Sequence, residues 1–357
     1  MRYGKFLPEK GTIGFVAPSF GCNIEPYRSA FINAQKIWEQ QGYGFSFGPN
    51  AYEGCGIGIS NTPQKCAEEF NDWYAKEDVD VLISCGGGEL MCEILPYIDF
   101  EKIRNSEPKW FLGYSDNTNL IFLLATLCDT AAIYGPCAAA FGMEPWHDSL
   151  KDAMGILKGN IKSVHNYEQW EKEGLKTEDN PLEPYNVTEK FQLRTWTAEK
   201  GLSMPDDISK KTDEIIQMEG RLLGGCLDCL SNLAGTKFDK VSDFNEKYKE
   251  DGIIWFMESC DLNPMAIRRA IWQLDHAGWF KYVKGFLIGR PLCLDEEILG
   301  VDRYNAVYPL LEKYNVPIIM DLDIGHTAPM MPIVSGAKAE IVVEKNSIKI
   351  HYKELEV

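Results

Sequence analysis

Apolar runs and helical spacings alternate along the first third of the chain. Residues 12–17 form a continuous apolar run closed by Pro18 and Ser19, the pattern of a strand buried on both faces of a parallel sheet. Tyr27, Phe31, Ala34, Ile37 and Trp38 recur at helical spacing across 24–41. A second strand is predicted over 43–47, then a Gly-rich loop over 48–60. Thr62-Pro63 opens a helix over Cys66, Phe70 and Trp73, with proline at the first helical position. Residues 79–84 read as a third strand that empties into Gly86-Gly87-Gly88, with a helix over 89–97. The run from Lys109 reads as a fourth strand, a tight turn at Gly113-Tyr114-Ser115-Asp116-Asn117 and an apolar helix over 120–125; residues 131–136 read as a fifth strand.

This βαβα rhythm predicts a doubly wound, mostly parallel sheet. In such sheets binding groups sit at the carboxyl ends of strands, where the polar turns 85–89 and 113–117 both fall. Residues 158–212 are polar and charged, with Trp170, Tyr185 and Trp196 interspersed, and read as a linker with an excursion over a site. Beyond it, 217–225 reads as a short strand and turn, and 252–258 as an apolar strand ending in Glu258. An amphipathic helix over 263–278, strands at 284–289 and 316–322, and a terminal hairpin over 339–352 follow. The expected fold class is α/β: an N-terminal doubly wound, mostly parallel sheet with a second, smaller α/β domain rich in strands. The expected divisions are 1–157, 158–212 and 213–357.

A chain of 357 residues is long enough for two cores. Its net charge of −17 argues against non-specific nucleic-acid binding and against docking on anionic lipid. No stretch has the length of a membrane span, and the first residues lack the apolar run of a signal peptide. Eleven cysteines lack a framework spacing and read as reduced thiols, so the expected location is cytoplasmic.

The turn at Ser115 half meets the G-x-S-x-G elbow pattern: Gly113 is present, and Asn117 stands where the second glycine would be. On local pattern alone, Ser115, Asp116 or Asn117 serves equally as a helix N-cap. Ser84, Ser106 and Ser335 sit on no comparable strand–turn–helix. Of five histidines, His326 lies in a loop just past an apolar strand, where a general base would be presented; His147, His165, His276 and His351 read as structural or exposed. Cys226-x-x-Cys229 is a lone pair with no histidine nearby in sequence, so no metal site is expected. The three glycines at 86–88 match no nucleotide-binding pattern. They could cradle a phosphate, or Gly87 and Gly88 could supply N–H groups to an oxyanion.

Taken together, six segments resemble the LD-carboxypeptidases, a family of serine peptidases with a branch that confers immunity to microcin C. They are Gly14 to Ser19, Gly87-Gly88 with Leu95 to Asp99, Gly113 to Asp116, Gly220 to Gly225, Phe256-Met257-Glu258, and Gly325-His326 followed by Pro332. The resemblance implies a Ser115–Glu258–His326 triad, with Glu219 as the rival acid, and oxyanion donors at Gly87, Gly88 and Asp116. It implies no cofactor, a homodimer, and a small peptide or peptidyl-nucleotide substrate. The implied reaction is release of a terminal D-amino acid from a muropeptide LD-peptide bond. The alternative within the family is hydrolysis of an aminoacyl- or peptidyl-nucleotide antibiotic, with Trp170 or Trp196 stacking on the base. A non-catalytic two-domain binding protein is the alternative from another class. Arg268, Arg269 and Arg290 are candidates to hold a substrate carboxylate, and Cys226 stands where the family commonly has Asn.

Overall fold

The computed structural model of the chain describes residues 1–203 and 215–355. The last part of the expected linker and the start of the expected second domain, residues 204–214, lie outside the described residues, as do 356 and 357.

Five strands build the first sheet: β1 (Thr12–Val16), β2 (Gly44–Phe47), β3 (Val81–Ser84), β4 (Trp110–Gly113) and β5 (Ala132–Tyr134). They run parallel in the order 2-1-3-4-5, and the late strand Ile333–Ser335 adds antiparallel to β5. The order reverses between β1 and β3, so a crevice opens beyond their carboxyl ends. Around that crevice stand Ser19 after β1, Gly87 after β3, Ser115 after β4 and Tyr134 at the end of β5. The helix Pro63–Ala75 begins as expected, with Thr62 accepting from the Lys65 N–H and Pro63 at its first position. The helix expected over 89–97 is instead a tight 3₁₀ segment, Met91–Tyr97, with Pro96 inside it. Proline has no N–H for an α-helical bond.

Among the described residues the second sheet has nine strands. At its centre Ile215–Cys226, Ile253–Glu258, Val283–Gly289 and Ile318–Leu322 lie parallel. The hairpin of Lys338–Glu344 and Ser347–Tyr352 extends one side. The sheet outnumbers the first in strands because short pieces of the 158–203 stretch join its edges. Ser163–His165 pairs with the last strand, and Arg194–Thr197 pairs with Ile318–Leu322. Residues 217–225 are one continuous strand, without the turn expected at its glycines. A Cβ at Gly224 would fall 1.7 Å from the Phe256 carbonyl oxygen, and one at Gly225 would fall 2.5 Å from Thr118 Cγ2. These glycines let the strand lie close to its neighbour and to the helix Thr118–Cys128.

That helix joins the two halves. Leu120 to Ala125 are all buried, as an all-apolar helix requires. Phe122 stacks on Trp279 with ring centroids 5.1 Å apart. Thr118 Oγ1 accepts from the Cys226 N–H. The helix that starts just after Ser115 is thereby wedged against the strand that pairs with Ile253–Glu258. Among the described residues no helix is long and apolar enough to cross a membrane.

Candidate active site

Ser115 sits where β4 turns into the helix Thr118–Cys128, and its φ is +62°. A serine in the left-handed region is strained unless its neighbours hold it. Asn117 does part of this. Its Nδ2 donates to the carbonyls of Gly86 and Tyr114, and a Cβ at Gly113 would fall 2.8 Å from Asn117 Cγ. The second elbow glycine is thus replaced by a side chain that ties the β4 turn to the β3 turn. Neither Ser115 nor Asn117 caps the helix with its side chain.

Asp116 is a buried hub. Its Oδ2 accepts from Ser19 Oγ at 2.5 Å and from the Met91 N–H at 2.8 Å, and its Oδ1 accepts from Asn119 Nδ2 and the Cys229 thiol. Burial raises its pKa, and these four donors work against that rise. Its carboxylate is therefore occupied in holding the loops together.

Glu258 ends its strand beside Cys226 on the neighbouring strand. His326 follows Ile318–Leu322 in a loop anchored by Asp323. The buried Asp323 carboxylate pairs with Arg290 and accepts from the Tyr167 N–H. Gly325 has φ +101°, and a Cβ there would lie 2.3 Å from Glu258 Oε2; only glycine lets the loop approach the acid. The imidazole then bridges the halves of the molecule: Nδ1 lies 2.8 Å from Glu258 Oε2 and Nε2 lies 2.8 Å from Ser115 Oγ. An imidazole held this way can take the hydroxyl proton while the carboxylate steadies the resulting charge. The sequence resemblance named these three residues, and the fold brings them together from 211 positions apart.

Family models cover most of the same chain. The LD-carboxypeptidase N-terminal domain matches residues 13–135, and the LD-carboxypeptidase C-terminal domain matches residues 219–341. The chain belongs to the LD-carboxypeptidase (S66) peptidase family. It is 23% identical over 347 residues to the microcin C7 self-immunity protein MccF of Escherichia coli, covering 95% of this chain and 92% of MccF. It is also 23% identical over 351 residues to the "Probable murein peptide carboxypeptidase" of Bacillus subtilis, covering 96% of this chain and 93% of that one. The solved structure of MccF in complex with glutamyl sulfamoyl guanosine superposes with a TM-score of 0.79 at 20% identity, covering 99% of both chains.

Burial alone would push the Glu258 carboxyl up. The facing His326 charge and hydrogen bonds from His326, Tyr134 and Cys226 outweigh burial and leave its pKa below the usual value. For His326, burial lowers the pKa, but the Glu258 charge and bonds to Cys260 and Glu258 raise it well above the ordinary imidazole range. Partial burial and the carboxylates of Asp261, Asp116 and Asp228 raise the Glu89 carboxyl, against the His326 charge.

Gly87 lies against the serine: a Cβ there would be 3.2 Å from Ser115 Oγ. Gly88, at φ +121°, lies against Ser19. The Gly87, Gly88 and Asp116 N–H groups donate to no other group among the described residues.

The sequence missed that Cys226 lies near a histidine. Donor atoms of Cys226, Glu258 and His326 lie within 4.8 Å of one another. They form the one such set among the described residues, yet both imidazole nitrogens are engaged by Glu258 and Ser115. The rival acid Glu219 is exposed and bridges Lys338 and Lys353. Trp196 is buried in the second sheet, and the partly exposed Trp170 carries the Arg290 guanidinium 4.9 Å from its ring centroid. Arg290 is bound to Asp323, Arg268 donates to the Asn305 carbonyl, and Arg269 is exposed on the helix Pro264–His276.

Proposed function

We propose that this chain is a serine carboxypeptidase that releases a terminal D-amino acid from the LD-peptide bond of a muropeptide. The observation that carries the catalytic part of this reading is the continuous relay from Glu258 through His326 to Ser115, with 2.8 Å at each step. The likeness to the "Probable murein peptide carboxypeptidase" of Bacillus subtilis supports the substrate. With Nδ1–H donated to Glu258, Nε2 accepts the Ser115 proton as Oγ attacks the peptide carbonyl carbon. The N–H groups of Gly87, Gly88 and Asp116 receive the oxyanion that forms. Collapse of the tetrahedral intermediate breaks the C–N bond, and the imidazolium gives its proton to the leaving amine. Water then repeats the sequence on the acyl-serine, releasing the shortened peptide.

A second reading has support of its own. MccF is a microcin C7 self-immunity protein, and its solved structure holds glutamyl sulfamoyl guanosine. On that reading the scissile amide joins an aminoacyl group to a nucleotide.

Mass spectrometry after incubation with a muropeptide tetrapeptide and, separately, with glutamyl sulfamoyl adenosine tests both. Release of the terminal D-amino acid supports the first reading. Turnover of the nucleotide alone replaces it with the second. Binding of either without turnover revives the non-catalytic alternative.

A further inference from the structure

Tyr134 closes a ring that the triad leaves open. It ends β5 fully buried, and its hydroxyl has two partners. It accepts from the Ser115 N–H at 3.2 Å and donates to Glu258 Oε1 at 2.5 Å. The other Glu258 oxygen holds His326, which holds Ser115 Oγ. One carboxylate thus grips the serine twice: through the imidazole at its side chain and through a phenol at its backbone.

The two bonds have different consequences. The bond to the Ser115 N–H supplies a buried acceptor at the residue with φ +62°, where the backbone is strained. An unpaired buried N–H there would be costly. The bond to Glu258 occupies the oxygen that does not face His326, which sets the rotation of the carboxylate. It also joins the carboxyl edge of the first sheet to that of the second, because Tyr134 and Glu258 end strands of different sheets. Burial and the Glu258 charge raise the phenol pKa far above neutrality, so it stays a donor. Packing alone does not require this hydroxyl: the ring already meets Phe256 at 5.6 Å and Tyr114 at 6.4 Å between centroids.

We propose that Tyr134 is a positioning residue, which holds the Ser115 turn and the Glu258 carboxylate in one frame so that His326 meets the serine hydroxyl. This rests on the proposed role of the triad and extends it to a residue that does not touch substrate.

The test is Tyr134→Phe in the full chain, which keeps the ring and removes the hydroxyl. The titratable groups around the imidazole are Glu258, Cys226, Cys260, Glu89 and Tyr114; none of these is altered. Without the phenol donor, the Glu258 charge is concentrated toward His326 and holds the imidazolium more strongly. The acidic limb of kcat/KM therefore moves up by about half a pH unit or more. We expect kcat to fall about 10–100-fold with KM within about twofold, the mark of lost alignment rather than lost binding. The His326 imidazole resonances, followed by NMR titration, move the same way whether or not a substrate is known. That readout separates failure of this proposal from failure of the functional reading. An unchanged titration of His326 would overturn the proposal. So would a loss of activity accompanied by a fall in Tm with no movement of the acidic limb.

Discussion

Glu258 Oε2 lies 2.8 Å from His326 Nδ1, and the acid is almost wholly shielded from water. A buried carboxylate facing an imidazole makes the protonated ring the favoured state, which is why the His326 pKa lies well above 6.5. General-base action needs the neutral ring. The rate kcat/KM should therefore climb with pH along an acidic limb whose midpoint lies above 6.5. In Glu258→Gln the raising charge is gone and burial is left to lower the pKa, so the limb should move down. Turnover in that variant should fall by roughly 10³-fold or more, because the imidazolium and the ring orientation both lose their support. A pH–rate profile of both proteins checks the direction; a limb that moves upward in Glu258→Gln contradicts the pairing.

The glycines at 87 and 88 should behave differently when changed to alanine. At Gly87 the added methyl meets Ser115 Cβ at 3.1 Å and Oγ at 3.2 Å. Gly87→Ala should fold with near-native Tm and lose activity by about 10-fold or more, because the crowding falls on the serine alone. At Gly88 the methyl would meet Ser19 Oγ at 2.0 Å and the backbone has φ +121°. Gly88→Ala should lose on the order of 2–3 kcal/mol of stability. Parallel denaturation and turnover measurements separate the two cases.

Glu69 gives a pH dependence of stability unrelated to turnover. Its Oε1 accepts from the Ala17 N–H just before Pro18 and Ser19, and burial raises its pKa from 4.5 to about 7. The folded chain therefore holds this proton more tightly than the unfolded chain. Stability from this group is fullest below pH 4.5 and declines as pH rises to about 7. The decline amounts to on the order of 3 kcal/mol. Glu69→Gln should flatten that slope and raise the denaturation midpoint at pH 8 relative to the parent. Equal slopes for both proteins between pH 5 and pH 7 would contradict the assignment.

Much of the fold was readable from one dimension. The runs before Pro18, before Gly86 and before Ser115 are apolar on both faces, and they became the central parallel strands. The three residues of the relay stood out only through resemblance, because Ser115 looked equally like a helix cap. Their meeting depends on Gly225 and Gly325 allowing close approach, and no periodicity encodes that. The pairing of Ser163–His165 and Arg194–Thr197 was hidden for a related reason. Short edge strands are defined by partners more than 100 residues away, here His351 for Ser163 and Ile318 for Trp196. Tyr134 read as one more strand residue; its position at the carboxyl end of β5 was the available signal. The C-x-x-C pair shows no histidine partner in sequence because His326 lies 97 residues beyond Cys229, yet it comes close to Cys226 in space.

The central claim is that the Ser115 hydroxyl is the group that attacks substrate. It is tested most directly by single-turnover mass spectrometry of the parent chain and Ser115→Ala with a muropeptide tetrapeptide and with glutamyl sulfamoyl adenosine. An acyl adduct is expected on the Ser115 peptide of the parent. Ser115→Ala should keep the parent's Tm and substrate binding while product formation falls by about 10³-fold or more. Product formation by Ser115→Ala at the parent's rate would contradict it.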